Sequence, residues 1–531
     1  MSAASSRPAA EEASAAPRAN AVVAALAFGG IVVSLMQSLV IPLIPELPEL
    51  LGASPADTAW AITATLLAGA VATPVMGRLG DMYGKRRMLL FSLALLVAGS
   101  VVCGLSDSLT PMIIGRVLQG LSAGAISLGI SIMRDELPAE RLPGATALMS
   151  ASLGIGGALG LPAAALIADH FDWHVLFWAS AVLGVLAVVL VVTIVPESEV
   201  RTGGRFDLVG AVGLSAALVC LLLAVSKGAD WGWGSTTTLG LFAAAAIVLL
   251  LWGRFELRTS APLVDLRTTA RRQVLFTNLA SVAIGFSMFA LSLVMPQLLQ
   301  LPEQTGYGMG RDLLTVGLAM APMGLVMMAT APFSARITKA RGPKVTLMIG
   351  ALVVAVGYGT GIVLMAEIWQ LVVVGCIVGA GMGLAYGAMP ALIMGAVPVS
   401  ETAAANSLNT LMRSLGTSFS SAVIAVVLAH RLRGPRPSVG ERLQNRPGHR
   451  RRRRRAVLRP RRVPPPSAAR GGRAARVRQA VGAGEDRLVA PARGVTPQCW
   501  RAPPTDLSPF LITWVSSGTG VASRSPDSRT T

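Results

Sequence analysis

Residues Gly77 to Arg87 read GRLGDMYGKRR, one carboxylate among four cations, set between two long apolar stretches. Such a group can form ion pairs and hydrogen bonds rather than make or break covalent bonds. Asp81 can salt-bridge within its own basic segment or face the positive end of a helix. Gly80 and Gly84 permit backbone conformations and close approaches that other residues resist. Arg116 stands alone among apolar neighbours. Placing an arginine inside a bilayer costs roughly 2.5–3.5 kcal/mol on an insertion scale, so it must face a cavity or cap backbone carbonyls. No Walker-type phosphate loop is present, which argues against ATP as the driving force. Cys103, Cys220, Cys376 and Cys499 have no paired spacing, so neither a disulfide framework nor a zinc site is expected. No enzyme, no cofactor and no metal are predicted.

These residues must be positioned by membrane helices. The 531 residues are 53% hydrophobic and 14% charged, against about 25% charged in soluble domains. Stretches of roughly 20 apolar residues, the length of a bilayer-spanning helix, recur throughout, without the alternation of barrel strands. We read thirteen spans, near 21–44, 58–76, 88–105, 109–132, 143–168, 174–195, 207–226, 237–253, 274–299, 313–334, 345–365, 369–395 and 403–429. With the N-terminus inside, nineteen Lys and Arg fall on inner segments and only Lys227 and Arg311 on outer ones. That bias places the N-terminus in the cytoplasm of a multi-pass cell-membrane protein. Trp173, Trp231, Trp233 and Trp369 lie near span ends, as interfacial anchors do.

The overall charge of +19 is misleading, because residues 431–531 hold 23 Arg, no Lys and five acids. Residues 1–18 are expected to be a disordered arm and 431–531 an Arg/Pro-rich disordered tail. Arg-rich segments can bind phosphates, but the tail starts abruptly where a helix is expected. A shifted reading frame explains it more simply than nucleic-acid binding, and no nucleic acid is predicted as partner.

The charged segment recurs. Ala335 to Lys344 reads ARITKARGPK, and alignment with Gly77 to Arg86 pairs Arg78 with Arg336, Gly84 with Gly342 and Arg86 with Lys344. The two copies follow spans 2 and 10. Two six-span halves separated by two inserted spans fit this spacing, and repeated halves are a transporter signature with the solute site between them. The domains are then 19–200, a six-helix bundle; 201–258, two inserted helices; and 259–430, a second bundle with five recognisable helices.

Here a family resemblance becomes specific. Gly77, Arg78, Gly80, Asp81, Gly84, Lys85 and Arg86 resemble motif A of the major facilitator superfamily. Arg116, Gln119 and Gly120 resemble its motif B. Gly154, Gly157, Gly160 and Pro162 resemble the antiporter motif C. Phe206-Asp207 opening span 7 and Arg254-Phe255-Glu256 closing span 8 are similar to the 14-span drug:proton antiporter group. The resemblance covers about residues 20–430. It implies an all-α integral membrane protein of major facilitator fold, with two six-helix bundles, two inserted helices and the last helix missing. It further implies that Asp81, Arg78 and Arg86 latch the two halves during alternating access. Half-to-half symmetry points Asp81 at span 13, which begins near Ser400 and Glu401. Arg116 is implied in proton coupling and Pro162 with its glycines in a hinge. Arg413, near the inner end of span 13, is expected to snorkel.

The chain also departs from the pattern. Gly160-Leu161-Pro162-Ala163 stands where Gly-Pro and paired glycines are usual, and Gln37 stands where the group often has an aspartate. Gly375, Gly379, Gly383 and Gly387 mark one close-packing face of span 12. The solute cavity is sketched by Gln37, Ser38, Asn278, Gln297, Asn406 and Asn409, lined otherwise by apolar residues suited to a large hydrophobic solute. The function expected is export of hydrophobic drugs or secondary metabolites by a monomeric secondary transporter, with proton antiport. The alternatives are a proton-independent facilitator or other secondary transporter, and an inactive frameshifted product.

Overall fold

The computed structural model describes residues 7–40, 43, 46–198, 200–301 and 308–432. Among them every regular element is helical. The first bundle comprises α1 (Arg7–Ser38), α2 (Trp60–Tyr83), α3 (Lys85–Gly104), α4 (Leu109–Leu121), α5 (Ala125–Glu136), α6 (Leu142–His170) and α7 (His174–Ile194). A 3-10 turn at Ser122–Gly124 joins α4 and α5 into one span. An inserted hairpin follows, α8 (Leu208–Trp231) and α9 (Thr236–Glu256). The second bundle comprises α10 (Arg272–Gln300), α11 (Leu313–Ala329), α12 (Ala331–Arg341), α13 (Pro343–Gly361), α14 (Ile368–Met394) and α15 (Thr402–Leu432).

Twelve helical spans among the described residues are long and apolar enough to cross a membrane. The thirteenth expected span is α15, which stands outside that set and carries Asn406, Asn409 and Arg413 along its length. The arm expected to be disordered is helical from Arg7, where an alanine-rich run extends α1; alanine is the strongest helix former. Residues 433–531, most of the predicted tail and the place of a fourteenth span, lie outside the described residues, as do Pro42 and Pro45, which follow the end of α1 at Ser38.

Side-chain oxygens start several helices by accepting orphan backbone N–H groups. Asp207 accepts from the Gly210 amide at 2.7 Å, and Ser235 from that of Thr238 at 3.2 Å. One apolar core, including Leu26, Leu93, Leu128 and Phe177, lies in the first bundle. A second, including Ile284, Val354, Met382 and Tyr386, lies in the second bundle. Leu214 and Leu218 of α8 pack with Ala70 of α2 and Leu408 and Leu411 of α15, so the inserted hairpin leans on the seam between halves.

The segment Gly77–Arg87, expected as a loop, is the last turns of α2 and the first of α3. A single residue separates them: Gly84, at φ 119°. Its partner in the repeat, Gly342, separates α12 from α13 at φ 85°. Positive φ is available to glycine without a Cβ clash, so one residue reverses the chain and a longer loop is unnecessary.

Where no hydrophobic force drives helices together, close backbone packing does the work. Along α14, a Cβ at Gly383 would collide with Thr330 Oγ1 and lie 2.5 Å from the Met327 carbonyl, and one at Gly387 would lie 2.5 Å from Ser334 Oγ. At Gly375 the nearest atom is a flexible methionine methyl at 3.6 Å. We expect Gly383→Ala to destabilise the chain by about 1–3 kcal/mol through overpacking, read as a lower melting temperature in detergent. Gly359→Ala is the control, since a Cβ there meets nothing within 4 Å.

Candidate functional site

At the end of α2, Asp81 reaches the other half of the molecule. Its Oδ1 accepts from the Ala403 amide at 3.2 Å and its Oδ2 from the Ala404 amide at 2.8 Å. These amides open α15, whose first N–H groups have no partner within the helix. A carboxylate there also meets the positive end of the helix dipole. Asp81 therefore caps a helix of the second bundle from the first. The close approach needs small residues. A Cβ at Gly77 would collide with Ser407 Oγ and lie 2.7 Å from the Ala403 carbonyl, and the face beside Gly80 is taken by Leu128.

Around this cap the charges alternate. Lys85 is fully buried and donates to both oxygens of Asp135, at 2.7 and 3.0 Å, while its Nζ lies 3.8 Å from Asp81 Oδ1. Ser198 donates to Asp135 at 2.5 Å. Arg134 crosses to the second half, donating to Thr402 Oγ1 at 2.6 Å and to the Val397 carbonyl at 3.0 Å. Ser127 and Ser407 hydroxyls meet at 2.8 Å. Sequence reasoning missed Asp135 and Arg134 as site residues; their signal was an adjacent acid and base at the inner end of span 4.

Two of the expected latch residues are placed differently. Arg86 donates to the Val192 carbonyl of α7 at 2.6 Å, inside its own half. A side chain two positions past the Gly84 turn points back across the first bundle, away from α15. Arg78 is half-buried and lines a cavity of about 360 Å³ with Thr202, Glu401 and Ala404. It sits beside the cap without bonding it.

Arg116 is buried in α4. Its Nε donates to the Ala61 carbonyl at 3.2 Å, and its NH1 to the Met36 carbonyl at 3.4 Å and to Gln119 Oε1 at 2.7 Å. Gln119 donates in turn to Ser100 of α3 at 2.9 Å. Met36 lies in the last turn of α1, where carbonyls lack intrahelical partners. Arg116 thus fastens α4 to α1 and α2, and Gln119 fastens it to α3. A Cβ at Gly120 would fall 2.9 Å from Ala68 Cβ, so α2 and α4 touch there.

In α6, Gly154 faces Met327 of α11, with a Cβ position 2.6 Å from its sulfur, and Gly160 faces Ser38 of α1, at 2.7 Å from Cβ. Gly157, expected to pack likewise, meets nothing within 4 Å. The contact belongs instead to Gly156, whose Cβ position is 2.6 Å from the Leu35 amide. One residue around a helix turns the face by about 100°, which is why a motif read as every third residue chose the wrong neighbour. Pro162 lies inside the continuous helix, 3.1 Å from a Cβ built on Gly317 of α11.

The six cavity candidates separate by depth. Asn278 and Gln297 are 19 residues apart on α10, about 28 Å at 1.5 Å per residue, and cannot share one pocket. Gln37 is exposed and Ser38 bonds the Ser34 carbonyl at 3.4 Å, both at the far end of α1. Asn278, Asn406 and Asn409 do assemble: Asn409 Nδ2 donates to Asn278 Oδ1 at 2.9 Å and to Ser281 Oγ at 2.7 Å. Asn406 is buried on the same helix, one turn nearer the Asp81 end. Arg413 does not snorkel. It stands eleven residues beyond Thr402, too deep to reach the interface, and its guanidinium lies 5.1 Å from the centre of the Tyr386 ring.

The comparisons with known proteins fit this architecture. An uncharacterised MFS-type transporter of Mycobacterium tuberculosis is 29% identical over 425 residues, covering 78% of this chain and 60% of the relative. The chain thus spans less than two thirds of that relative's length. The tetracenomycin C resistance and export protein of Streptomyces glaucescens is 28% identical over 413 residues, covering 77% of this chain and 76% of that one. Among solved structures, the human organic anion transporter MFSD10 aligns at TM-score 0.57 and 15% identity, over 77% of this chain and 93% of that one, a likeness of fold alone. The sequence pattern described as Major Facilitator Superfamily matches residues 26–421, and the chain belongs to that family of multi-pass membrane transporters.

Proposed function

We propose that the chain is a secondary exporter of hydrophobic drugs or secondary metabolites, working as a monomer in the cytoplasmic membrane by alternating access of its two bundles. One observation carries this reading. Six hydrogen bonds made by Asp81, Arg134 and Ser127 join the halves, all at the Asp81 end. The positive-inside bias puts that end, and the N-terminus, in the cytoplasm. The arrangement is then a pathway closed toward the cytoplasm by bonds that can break together. Export is the activity named for the Streptomyces relative.

Proton antiport needs a group in the pathway that changes charge. The mid-depth charges of the described spans are arginines, which supports the second reading, facilitated export without proton coupling. Both are tested in cells stripped of their own efflux pumps, loaded with anionic, neutral and cationic hydrophobic dyes. We expect lower accumulation of at least one dye when the chain is present. An uncoupler that restores accumulation selects antiport; one without effect selects facilitation. Equal accumulation of every dye with and without the chain would sink the export reading.

A further inference from the structure

In the twelve spans and α15, Arg116 and Arg413 are the described charged side chains at least seven residues from either end, and no carboxylate lies so deep. Arg116 is occupied by Ala61, Met36 and Gln119. Arg413 is not. Eleven residues into α15 places it about 16 Å from the Asp81 end, near the middle of a hydrocarbon core about 30 Å thick. It is half-buried, and among the described residues no hydrogen bond or ion pair reaches its guanidinium. Its guanidinium lies over the ring of Tyr386, 5.1 Å from the centroid. A ring face contributes about 2 kcal/mol to a desolvated cation, less than the several kcal/mol that burial of a charge costs.

The neighbours share the same imbalance. Asn278 Nδ2, level with Asn409 one turn toward the Asp81 end, and Asn406 Nδ2, about two turns toward it, are buried donors without acceptors. The carbonyl of Asn278 is already taken by Asn409. Donors therefore outnumber acceptors along this column of α10 and α15. Met288 and Met389 flank it, bonded through their sulfurs to Tyr386 and Ser281, and thioether side chains adapt to apolar bodies of varied shape.

We infer that Arg413 is the charge-selecting residue of the solute site, and that the preferred solutes are aromatic organic anions, a flat apolar body bearing a carboxylate or its equivalent. The anionic group supplies the acceptor that Arg413 lacks, in a column where the two asparagine donors lack one as well. A cationic solute meets an uncompensated positive charge and no carboxylate. The placement of the site rests on the export reading above, but its test does not depend on transport.

The full chain, purified in detergent, is titrated with pyrenebutanoate, its methyl ester, and a pyrenebutyl trimethylammonium salt, which share one ring system and differ in charge. Wild type is expected to bind the carboxylate roughly tenfold or more tighter than the ester, the scale of one charged hydrogen bond. Arg413→Gln removes that preference, weakening the carboxylate far more than the ester, and a melting temperature matching wild type shows that the variant is folded. Arg413→Lys recovers part of the preference, and Tyr386→Phe, which keeps the ring, leaves it intact. Equal affinity of wild type for carboxylate and ester, tighter binding of the ammonium salt, no binding of any of the three, or a preference that survives Arg413→Gln would each overturn the inference. Arg413-dependent binding without uptake in reconstituted vesicles leaves the site standing and removes the export reading instead.

Discussion

Asp81→Asn is expected to open the cytoplasmic end and to lower export roughly tenfold or more. The two side chains have nearly the same shape, so the packing around the buried side chain is kept. What changes is acceptor capacity and charge. Asn offers one oxygen where the carboxylate offers two, so either the Ala403 or the Ala404 amide faces an NH2 group in place of an acceptor. The charge that faces the start of α15 and Lys85 is lost as well. A hydrogen bond to a charged group contributes about 1.5–3 kcal/mol, and a well-placed charge at a helix end up to about 2 kcal/mol. Losing about 3 kcal/mol from one of two states shifts their ratio by about a hundredfold. The readout is Ser407→Cys, a conservative change at a buried position opposite Gly77. Its labelling by a membrane-impermeant maleimide from the cytoplasmic face should rise at least tenfold, an order-of-magnitude expectation from that shift, when Asp81→Asn is added. Unchanged labelling with unchanged export would show that the cap does not gate the pathway.

The parts of this arrangement that were legible in the sequence are those written in side chains at membrane depth or at span ends. Long apolar runs, and arginines and lysines gathered on alternate connections, specify the helices and their order. The Gly84 and Gly342 pairing was legible because both positions need a residue free of Cβ, and the structure gives both positive φ. Asp81 drew notice because a carboxylate among cations is unusual. The resemblance pointed it at the start of span 13, near Ser400 and Glu401, but not at the particular amides of Ala403 and Ala404, which have no residue-type signal. The same holds for Arg86 and Arg116, whose partners are the carbonyls of Val192, Met36 and Ala61. Gly157 and Gly156 show a second limit: neighbouring glycines look equivalent in a motif, yet helix phase assigns the contact to one of them. Depth is the third. Gln37, Gln297 and Asn278 are all polar residues in apolar runs, and only counting residues from the helix ends separates them.

Arg116→Ala and Arg116→Lys are both expected to lose export, and the alanine variant is expected to lose melting temperature with it. The guanidinium is planar and donates in several fixed directions, which lets one side chain bond Ala61 of α2, Met36 of α1 and Gln119 of its own helix together. A lysine ammonium is a single point and cannot hold carbonyls on two helices while bonding Gln119. Removing the guanidinium leaves the Ala61 and Met36 carbonyls and Gln119 Oε1 without these bonds, at about 1–3 kcal/mol for each buried group left unsatisfied, enough to loosen the α1, α2, α3 and α4 contacts that shape the first bundle. Its described hydrogen bonds, to two backbone carbonyls and to Gln119, are those a cross-brace makes. Bracing and proton coupling separate experimentally. Solute exchange at equal concentration on both sides of a vesicle needs a moving bundle but no proton gradient. A cross-brace predicts that exchange, gradient-driven export and thermal stability fall together in Arg116→Ala. A variant that kept full exchange and its melting temperature, and lost only uphill export, would assign Arg116 to coupling and remove the structural role argued from its three bonds.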